Sequence, residues 1–394
     1  MAEENVKFAT RPTGVGEMFQ LLRDGQPRTR ADLAATTGQA RSTIAARVDV
    51  LLAAGLVTPT GEAVSTGGRP PATFAFNPGA RVVLAVDLGA THVRIAVTDL
   101  AGTVLSEHHE TLAIADGPDV VLDRVATIAL TLISEAGRRL ADLAGVGVGL
   151  PGPVEHSSGR PINPPIMPGW DDADVPGHLG QLLGAPVLVD NDVNIMALGE
   201  HATEYPLVEH LLFVKVATGI GAGIISDGQI LRGAQGAAGD LGHIVVPGGS
   251  DVPCRCGNTG CLEAVASGQA VAMSLRAQGF EVATSVDVVA LVRGGNLVAS
   301  QAVREAGREI GGVLAACVSM LNPSMIVIGG VLAEAGEHLL AGIREVVYRR
   351  SLPLATQHLR IMASQTKGRA GVLGAAAMAA EHFLSSEAID NLVM

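Results

Sequence analysis

Three of the four cysteines in this 394-residue chain lie within eight residues of one another, in the segment PCRCGNTGCLE. Disulfide frameworks use dispersed cysteine pairs, so the cluster of Cys254, Cys256 and Cys261 indicates a metal site in a reducing compartment. His243 lies eleven residues upstream of Cys254 and can supply a fourth ligand. Three thiolates and one imidazole make a closed tetrahedral zinc set, which is typical of a structural site. We therefore predict a structural Zn²⁺ on these four residues.

A second group of polar side chains follows a predicted buried strand with the sequence APVLV. The segment VDNDVN, residues 189–194, places two carboxylates and two amides at the end of this strand. Open α/β sheets bind ligands at the carboxyl ends of their strands. These side chains could hydrogen-bond several hydroxyl groups, and one carboxylate could act as a general base. An Asx-rich turn without a ligand is the alternative.

Two turns rich in glycine and threonine, DLGATH (87–92) and ATGIGAG (217–223), could bind phosphate through backbone N–H groups and hydroxyls. A third turn, VIGGVLAEAG (327–336), follows a predicted buried strand and could pack against an adenosine. Taken singly, each turn is also compatible with a tight hairpin. The candidate nucleotide-binding residues are Asp87, Gly89, Thr91, Thr218, Gly219, Gly221, Gly329 and Gly330.

The first two turns lie in two copies of one strand pattern. Three consecutive strands are predicted at RVVLAVDLG, THVRIAVTDL and GTVLSEHHE, followed by a helix at about 117–140 and the buried strand GVGVGLP. The strand pattern returns at HLLFVKVATG and AGIISDGQILRGA. We interpret this as a weak internal duplication, which predicts two α/β lobes with a cleft between them.

Residues before Arg81 follow a different pattern. Apolar positions at three- and four-residue steps predict three short helices within 16–57, and a strand, a Gly/Pro-rich loop and a second strand follow. Three helices and a β-hairpin are the layout of a winged helix-turn-helix. Asn77-Pro78-Gly79 marks the predicted boundary between a DNA-binding domain over 1–78 and a two-lobed domain over 79–394.

The net charge of −12 is unevenly distributed along the chain. Residues 1–80 hold eight basic and seven acidic side chains, a net of +1, and the remainder carries −13. An acidic body would keep the protein off nonspecific DNA and leave the contacts to a few arginines. Aromatic residues make up only 3 % of the chain, which argues against stacking platforms for single-stranded nucleic acid.

The third predicted helix is the candidate recognition helix, because N-terminal residues of such a helix meet base edges in the major groove. Residues beside the second helix suit phosphate contacts, and an arginine in the stiff loop before Pro70 could enter an A·T-rich minor groove. Each arginine could instead be a solvated surface charge. The candidates are Arg41, Ser42, Thr43 and Arg47 for bases, Arg28 and Arg30 for phosphates, and Arg69 for the minor groove.

The sequence contains no pattern typical of export or membrane insertion. Its first twelve residues, MAEENVKFATRP, are polar and acidic, unlike a signal peptide. The most apolar stretch, 310–333, is divided by Asn322-Pro323-Ser324 into one helix-length and one strand-length piece, and a membrane span needs about 20 uninterrupted apolar residues. We therefore expect a cytoplasmic protein without membrane insertion.

Three motifs resemble those of one known family. The spacing Cys-x-Cys-x-x-x-x-Cys-x-Glu, which ends at Glu263, resembles the zinc motif of the ROK family of repressors, open reading frames and kinases. Asp240-Leu241-Gly242-His243 and Asn191-Asp192-Val193-Asn194 are similar to that family's E-x-G-H and N-D-x-N elements. The resemblance covers nearly the whole chain. It implies an α/β architecture with an N-terminal winged helix-turn-helix and a two-lobed, actin/hexokinase-like domain of the ribonuclease H-like type.

The resemblance also implies roles for individual residues. Asp192 would be the base that deprotonates a sugar hydroxyl in a kinase, and ATP and Mg²⁺ would be cofactors of that reaction only. Zinc would shape the sugar pocket rather than catalyse, with His243 holding zinc by one ring nitrogen and the sugar by the other. The implied sugar-binding residues are Asn191, Asp192, Asp240, His243 and Glu263.

The phosphate turns depart from the pattern of the family's kinases. Where those kinases have D-x-G-G-T-N and G-T-G-I-G-G-G, this chain carries Ala90, His92, Ala217 and Ala222. A Cβ at a position of close approach or positive φ costs on the order of 1 kcal/mol or more, so we expect weakened ATP binding. Asp240 in place of the usual glutamate, and Ile166 where kinases often present an asparagine, predict an altered sugar specificity.

These features together predict a sugar-responsive transcription regulator, a repressor of carbohydrate metabolism genes. Its effector would be a sugar or sugar phosphate, and it would bind a palindromic operator as a homodimer or homotetramer. The effector would close the lobes and change the spacing of two winged helices. An ATP-dependent, glucokinase-like sugar kinase that also binds DNA is one alternative, and a module that binds another protein is a second.

Overall fold

The computed structural model describes residues 14–62, 70–249 and 251–394 of the chain. Arg69, the candidate for the minor groove, lies outside these ranges. Within them, no helix combines the length and the apolar character needed to cross a membrane.

The N-terminal part is a winged helix, as predicted. Antiparallel pairing gives its small sheet the strand order β1-β3-β2. A capping box of Thr29 and Asp32 starts the second helix, and Gly38, at a φ of 68°, ends it in the left-handed region. The elements are α1 (Val15–Gln20), β1 (Arg28–Thr29), α2 (Arg30–Thr37), α3 (Arg41–Ala53), β2 (Val57–Glu62) and β3 (Ala72–Phe76).

The first lobe is a five-stranded sheet with the order β10-β7-β4-β5-β6. The long helix of this lobe ends at Glu135 rather than near 140, because Gly137 adopts a left-handed φ of 68°. The elements are β4 (Val82–Leu88), β5 (His92–Asp99), β6 (Val104–Thr111), α4 (Pro118–Glu135), β7 (Leu143–Leu150), β8 (Val154–Glu155), β9 (Arg160–Pro161), α5 (Val175–Leu183) and β10 (Val187–Asn191).

The second lobe is a five-stranded sheet with the order β13-β12-β11-β14-β15. A long helix, α6 (Asp192–Glu204), leads into it and packs against its strands β11 and β12. The further elements are β11 (Leu211–Val216), β12 (Ile220–Ser226), β13 (Gln229–Ile230), α7 (Leu262–Ala266), α8 (Gly268–Ala277), α9 (Ser285–Arg293), α10 (Leu297–Leu321), β14 (Met325–Gly329), α11 (Glu337–Arg350), α12 (Pro353–Thr356) and β15 (Arg360–Ala363).

The two sheets confirm the predicted duplication. In each sheet, three consecutive strands pair antiparallel, and two later strands add in parallel beside the first. The interrupted apolar stretch divides as expected into α10 and β14, with Asn322 in the left-handed region at the end of the helix. The fold is therefore the predicted two-lobed, actin/hexokinase-like α/β architecture.

The last two helices return from the second lobe to the first lobe and the winged helix. α13 (Ala370–Phe383) packs on α6, β4 and β7, and α14 (Ser386–Val393) packs on α1. One continuous apolar core contains side chains of the winged helix, of β4 and of α13, including Phe19, Val83 and Val372. The winged helix is thus joined to the lobes by buried contacts as well as by the connection near residue 78.

Candidate functional site

The predicted metal ligands converge in the second lobe. The ligand atoms of His243, Cys254, Cys256 and Cys261 all lie within 4.8 Å of one another. Cys254 Sγ lies 3.7 Å from His243 Nδ1, and Cys256 Sγ lies 3.7 Å from Cys261 Sγ. Tetrahedral zinc, with bonds of roughly 2.0–2.3 Å, separates its ligand atoms by about 3.5–3.8 Å. The cluster therefore has the donor set of a closed tetrahedral metal site, and these two ligand pairs have the matching separation.

Backbone hydrogen bonds shape this loop. The N–H of Cys254 donates to the carbonyl of Asn258 over 2.8 Å, and the N–H of Gly257 donates to the carbonyl of Cys254 over 3.1 Å. The backbone N–H of Asn258, with smaller contributions from the Cys254 and Cys261 thiols and from His243, outweighs burial and lowers the pKa of Cys256 to about 7. A thiol that ionises easily is suited to bind a metal as the thiolate.

Glu263 connects the metal loop with the second glycine turn. Its N–H donates to the carbonyl of Gly242 over 2.8 Å, and its Oε2 accepts the N–H of Ile220 over 3.1 Å. The predicted sugar-binding residues His243 and Glu263 are therefore adjacent through backbone contacts. Asp240, the third acidic candidate, is exposed in the loop that precedes them.

Asn191 and Asp192 stand where β10 ends and α6 begins. Asn191 is the N-cap of α6, where its Oδ1 accepts the N–H of Val193 over 2.9 Å. Its amide also donates to the carbonyl of Gly152 over 2.8 Å. Asn191 thus caps the helix, and the same contacts fix the position of Asp192 at its first residue, while sugar binding by either residue stays a prediction.

Asp192 is paired with a lysine that lies outside the sequence motifs. Lys215, on β11, donates a 2.5 Å hydrogen bond from Nζ to Asp192 Oδ2, and the Asp192 side chain is only 6 % exposed. Asp87, at the end of β4, lies within electrostatic reach of both. Burial raises the pKa of Asp87 to about 6, with Lys215 opposing that shift and Asp192 adding to it. The one available signal was a lysine within the apolar strand LLFVKV, immediately before a glycine turn.

A second ion pair, between Asp190 and Arg232, also joins the lobes. Arg232 Nε donates to Asp190 Oδ2 over 2.7 Å, and Asn194 Nδ2 donates to Asp190 Oδ1 over 2.8 Å. Asp190 lies on β10, whereas Arg232 follows β13 in the second lobe. Asp190 belongs to the polar segment 189–194, but nothing local in the sequence links it to Arg232, which lies 42 positions away.

The glycines of the predicted nucleotide turns are closely packed against their own chain. A Cβ on Gly219 would lie 2.3 Å from Glu263 Oε2, and one on Gly329 would lie 2.4 Å from the Phe213 ring. A Cβ on Gly221 would lie 3.0 Å from Val193, and Gly330, at a φ of 84°, lies against the backbone of Val216. Gly329 and Gly330 therefore require glycine for packing, independently of any nucleotide, whereas a shift of the Glu263 or Val193 side chain would make room for a Cβ at Gly219 or Gly221.

The first turn is covered by its own histidine. A Cβ on Gly89 would lie 2.2 Å from His92 Cε1, so the imidazole occupies the space above this glycine. Thr91 and Thr218 are exposed at the two turns. The nucleotide-binding assignment of these residues remains a prediction.

The candidate recognition helix exposes its first turn. α3 begins at Arg41, and Arg41, Ser42 and Thr43 are all exposed, whereas Ile44 and Val48 are buried beneath them. Arg47 is half-buried, with Nη1 2.7 Å from Gln39 Oε1.

The two arginines expected at DNA phosphates are paired within the domain. Arg28 binds Asp24, and Arg30 binds Asp49, each over 2.6 Å. The Arg30 guanidinium also lies 4.7 Å from the centre of the Phe74 ring. A phosphate would therefore compete with an existing carboxylate at either arginine.

The fold and the site define a two-lobed, actin/hexokinase-like protein that carries a winged helix and a Cys₃His metal loop. The sequence model of the ROK family matches residues 83–382, and the chain belongs to this family. The predicted family is thereby confirmed, and the repressor and regulator relatives that follow confirm its branch with an N-terminal winged helix.

Some similar proteins are transcription regulators that match nearly the whole of this chain, and others are kinases that match only part of it. The chain is 30 % identical to the xylose repressor of Caldicellulosiruptor bescii, covering 93 % of this chain and 95 % of that protein. It is 31 % identical to a glucokinase of Halalkalibacterium halodurans, covering 75 % of this chain and 93 % of that enzyme. A crystal structure of a ROK family transcriptional regulator, a homologue of the E. coli MLC protein, matches with a TM-score of 0.82 and 28 % identity, covering 96 % of this chain and 98 % of that one.

Proposed function

We propose that the protein is a sugar-responsive, DNA-binding transcription regulator. The observation that carries this proposal is its end-to-end similarity to repressors, which includes the winged helix, whereas the glucokinase relative covers 75 % of the chain. The exposed first turn of α3 is the proposed contact with the major groove, and the operator is double-stranded DNA.

The effector is a sugar or sugar phosphate bound between the lobes. Asn191, Asp192, Glu263 and His243 supply carboxylate, amide and imidazole groups, which recognise hydroxyls by hydrogen bonds. The metal in the Cys₃His loop is Zn²⁺, which holds His243 and the loop around it in place rather than taking part in a reaction.

A connected path leads from the cleft to the DNA-binding domain. Gly371, in the first turn of α13, approaches Asp87 so closely that a Cβ there would lie 2.0 Å from the carboxylate. At the other end of α13, Arg23, in the turn that follows α1, binds Glu381, and Gln20 of α1 donates to the carbonyl of Leu384 over 2.8 Å. Sugar binding that moves the lobes therefore also moves the winged helix, and it shifts the population that can bind the operator. We propose that two or four copies act together on a palindromic operator.

The test is a thermal-shift screen of sugars and their phosphates, with xylose and N-acetylglucosamine included. Each compound that raises the melting temperature is then added to the protein bound to an operator selected from random duplexes. We expect at least one compound to change the operator Kd tenfold or more. If no sugar alters either the melting temperature or DNA binding, the proposal is wrong.

A retained sugar kinase activity is the alternative that the presence of Asp87 and Asp192 suggests, and the pairing of Asp192 with Lys215 counts against it. A coupled assay with ATP and Mg²⁺ over the same sugars tests it. Turnover that is lost in Asp192→Asn would establish the kinase, and absence of turnover with intact sugar binding would leave the sensor alone.

A further inference from the structure

The ammonium group of Lys215 places a positive charge in the cleft, at the point where the two lobes meet. Lys215 Nζ lies 2.5 Å from Asp192 Oδ2, and its side chain is 23 % exposed. Burial acts to lower the pKa of Lys215, but Asp192, by charge and hydrogen bond, and Asp87, by charge, outweigh it and raise the pKa. The lysine is therefore charged, and both carboxylates act on it.

Position 215 carries a lysine in a chain whose basic residues are nearly all arginines. Only three of the 27 basic residues in the chain are lysines, at positions 7, 215 and 367, and the rest are arginines. An ammonium is a compact point charge with three donors, whereas a guanidinium is larger and planar. A compact cation suits a narrow space between carboxylates from β4 and from the start of α6.

A phosphoryl-transfer site needs different conditions at the same place. It needs a carboxylate that is free to accept the proton of the sugar hydroxyl, and a divalent cation on the phosphate oxygens. Here one oxygen of Asp192 is held by an ammonium, and a second cation close to that carboxylate would be repelled by the first. The His92 ring also covers Gly89 at the first phosphate turn. The residues present therefore do not fit Mg²⁺ and ATP.

We propose that Lys215 is a resident cation that takes the place of a divalent metal in this cleft, so that the sugar binds without Mg²⁺ or ATP. This inference rests on the proposed sugar site. Asp192 then serves as a hydrogen-bond acceptor for a sugar hydroxyl through Oδ1, because Oδ2 is already engaged. Lys215 is a positioning residue, since it joins β11 to the first residue of α6 and holds the carboxylate at a fixed place.

The experiment compares cation binding in the full-length, zinc-loaded protein and in three variants. Lys215→Met removes the charge and keeps much of the side-chain length, and Lys215→Arg keeps the charge. Lys367→Met is the matched control, because it removes an exposed lysine. Mg²⁺ alone and then Mg²⁺ with ATP are titrated by calorimetry, and the melting temperature is followed over the same concentrations.

We expect no heat of Mg²⁺ binding at the cleft and no Mg²⁺-dependent melting shift in the wild type, in Lys215→Arg or in Lys367→Met. In Lys215→Met, Asp192 and Asp87 lose the ammonium that acts on both, so we expect millimolar Mg²⁺ to bind and to raise the melting temperature by several degrees. The inference is wrong if the wild type binds Mg²⁺ and this binding is lost in Asp192→Asn. It is also wrong if Lys215→Met shows neither Mg²⁺ binding nor a Mg²⁺-dependent change in melting temperature. If Lys215→Met does not fold, the Mg²⁺ titration of the wild type still tests the inference, because Mg²⁺ binding at Asp192 would contradict it.

Sugar affinity provides a second readout. A lysine that only stabilised the fold would not change the Kd for the sugar according to the charge at position 215. The wild-type Kd for the effector is expected to be the same with and without Mg²⁺ and ATP, and a threefold or larger change would contradict the inference. Lys215→Met is expected to weaken sugar binding at least tenfold, and Lys215→Arg, which keeps the charge on a larger, planar group, is expected to restore the affinity only in part. The Mg²⁺ titration needs neither sugar nor DNA, so its outcome is independent of whether the protein is a sugar-responsive regulator.

Discussion

The backbone N–H of Gly16, in the first helix of the winged helix, donates a 2.8 Å hydrogen bond to the carboxylate of Asp390, close to the C-terminus. The two elements are in direct contact here, since a Cβ on Gly16 would lie 2.0 Å from the carbonyl oxygen of Ser386. The domain that we expect to bind DNA is thus attached to the last helix of the chain, which follows directly on α13 and its contact with the cleft.

Removal of the Asp390 carboxylate is expected to loosen this attachment. A hydrogen bond to a charged group contributes about 1.5–3 kcal/mol, so Asp390→Ala should lower the free energy of unfolding by roughly that amount. Glu387→Ala, which removes an exposed charge from the same helix, is the control. Calorimetric melting of the two variants measures the difference, and equal melting temperatures would show that this contact contributes nothing.

The pH dependence of stability should reveal the buried carboxyl of Asp87. Its pKa is raised mainly by burial to about 6, from an ordinary value of 3.8. The folded carboxyl binds its proton more tightly than the unfolded one. Its favourable contribution is therefore complete below about pH 4 and lost as the pH rises through 6.

At high pH the buried Asp87 carboxylate is ionised and destabilises the folded protein. Asp87→Asn should remove this destabilisation. We expect the variant to melt at least about 2 °C above the wild type at pH 7.5, and the difference to shrink towards zero near pH 4. The exposed Asp116→Asn should show no such trend. A difference between Asp87→Asn and wild type that is constant across pH would contradict the assignment.

Zinc content should depend on the clustered cysteines and not on the isolated one. The wild type is expected to hold one zinc per chain by elemental analysis, and Cys256→Ser should lose most of it and melt at a lower temperature. Cys317, which is buried in α10 away from the cluster, provides the control Cys317→Ser, with zinc retained. Retention of stoichiometric zinc by Cys256→Ser would refute the metal site.

DNA binding should depend on the first residue of α3. Arg41 is exposed and makes no hydrogen bond or ion pair with the other described residues, so it is available to DNA. Arg41→Ala should cost about 1–3 kcal/mol of operator binding by fluorescence anisotropy at fixed salt. Arg349→Ala, an exposed arginine at the end of α11, should leave the operator Kd unchanged. Equal affinities for the two variants would exclude α3 from the interface.

Much of the architecture could be predicted because its signals are local. The antiparallel strands β4, β5 and β6 are joined by short turns, and their copy in the second lobe repeats the same pattern. The metal ligands Cys254, Cys256 and Cys261 are held together by a loop of eight residues, so their spacing alone implied the cluster. The helices of the winged helix follow from apolar periodicity and from the glycines that end them.

Other parts of the site depend on pairings that no local pattern encodes. In the sequence, Lys215 is a single polar residue within a predicted buried strand. Only the packing of β11 beside α6 brings its ammonium to Asp192. Arg28 and Arg30 resemble free phosphate contacts in the sequence, yet the fold supplies each with an aspartate partner. The glycine at 329 was predicted to contact a nucleotide, although its packing against the Phe213 ring alone accounts for it.

The sequence by itself therefore determined the family, the duplicated α/β lobes, the winged helix and the Cys₃His cluster, because each depends on residue types at short spacing. Only the tertiary structure decided that Lys215 neutralises Asp192 and that the C-terminal helix holds the winged helix. Both depend on residues far apart in the chain, and their energies come from burial and charge at distances that the completed fold alone sets.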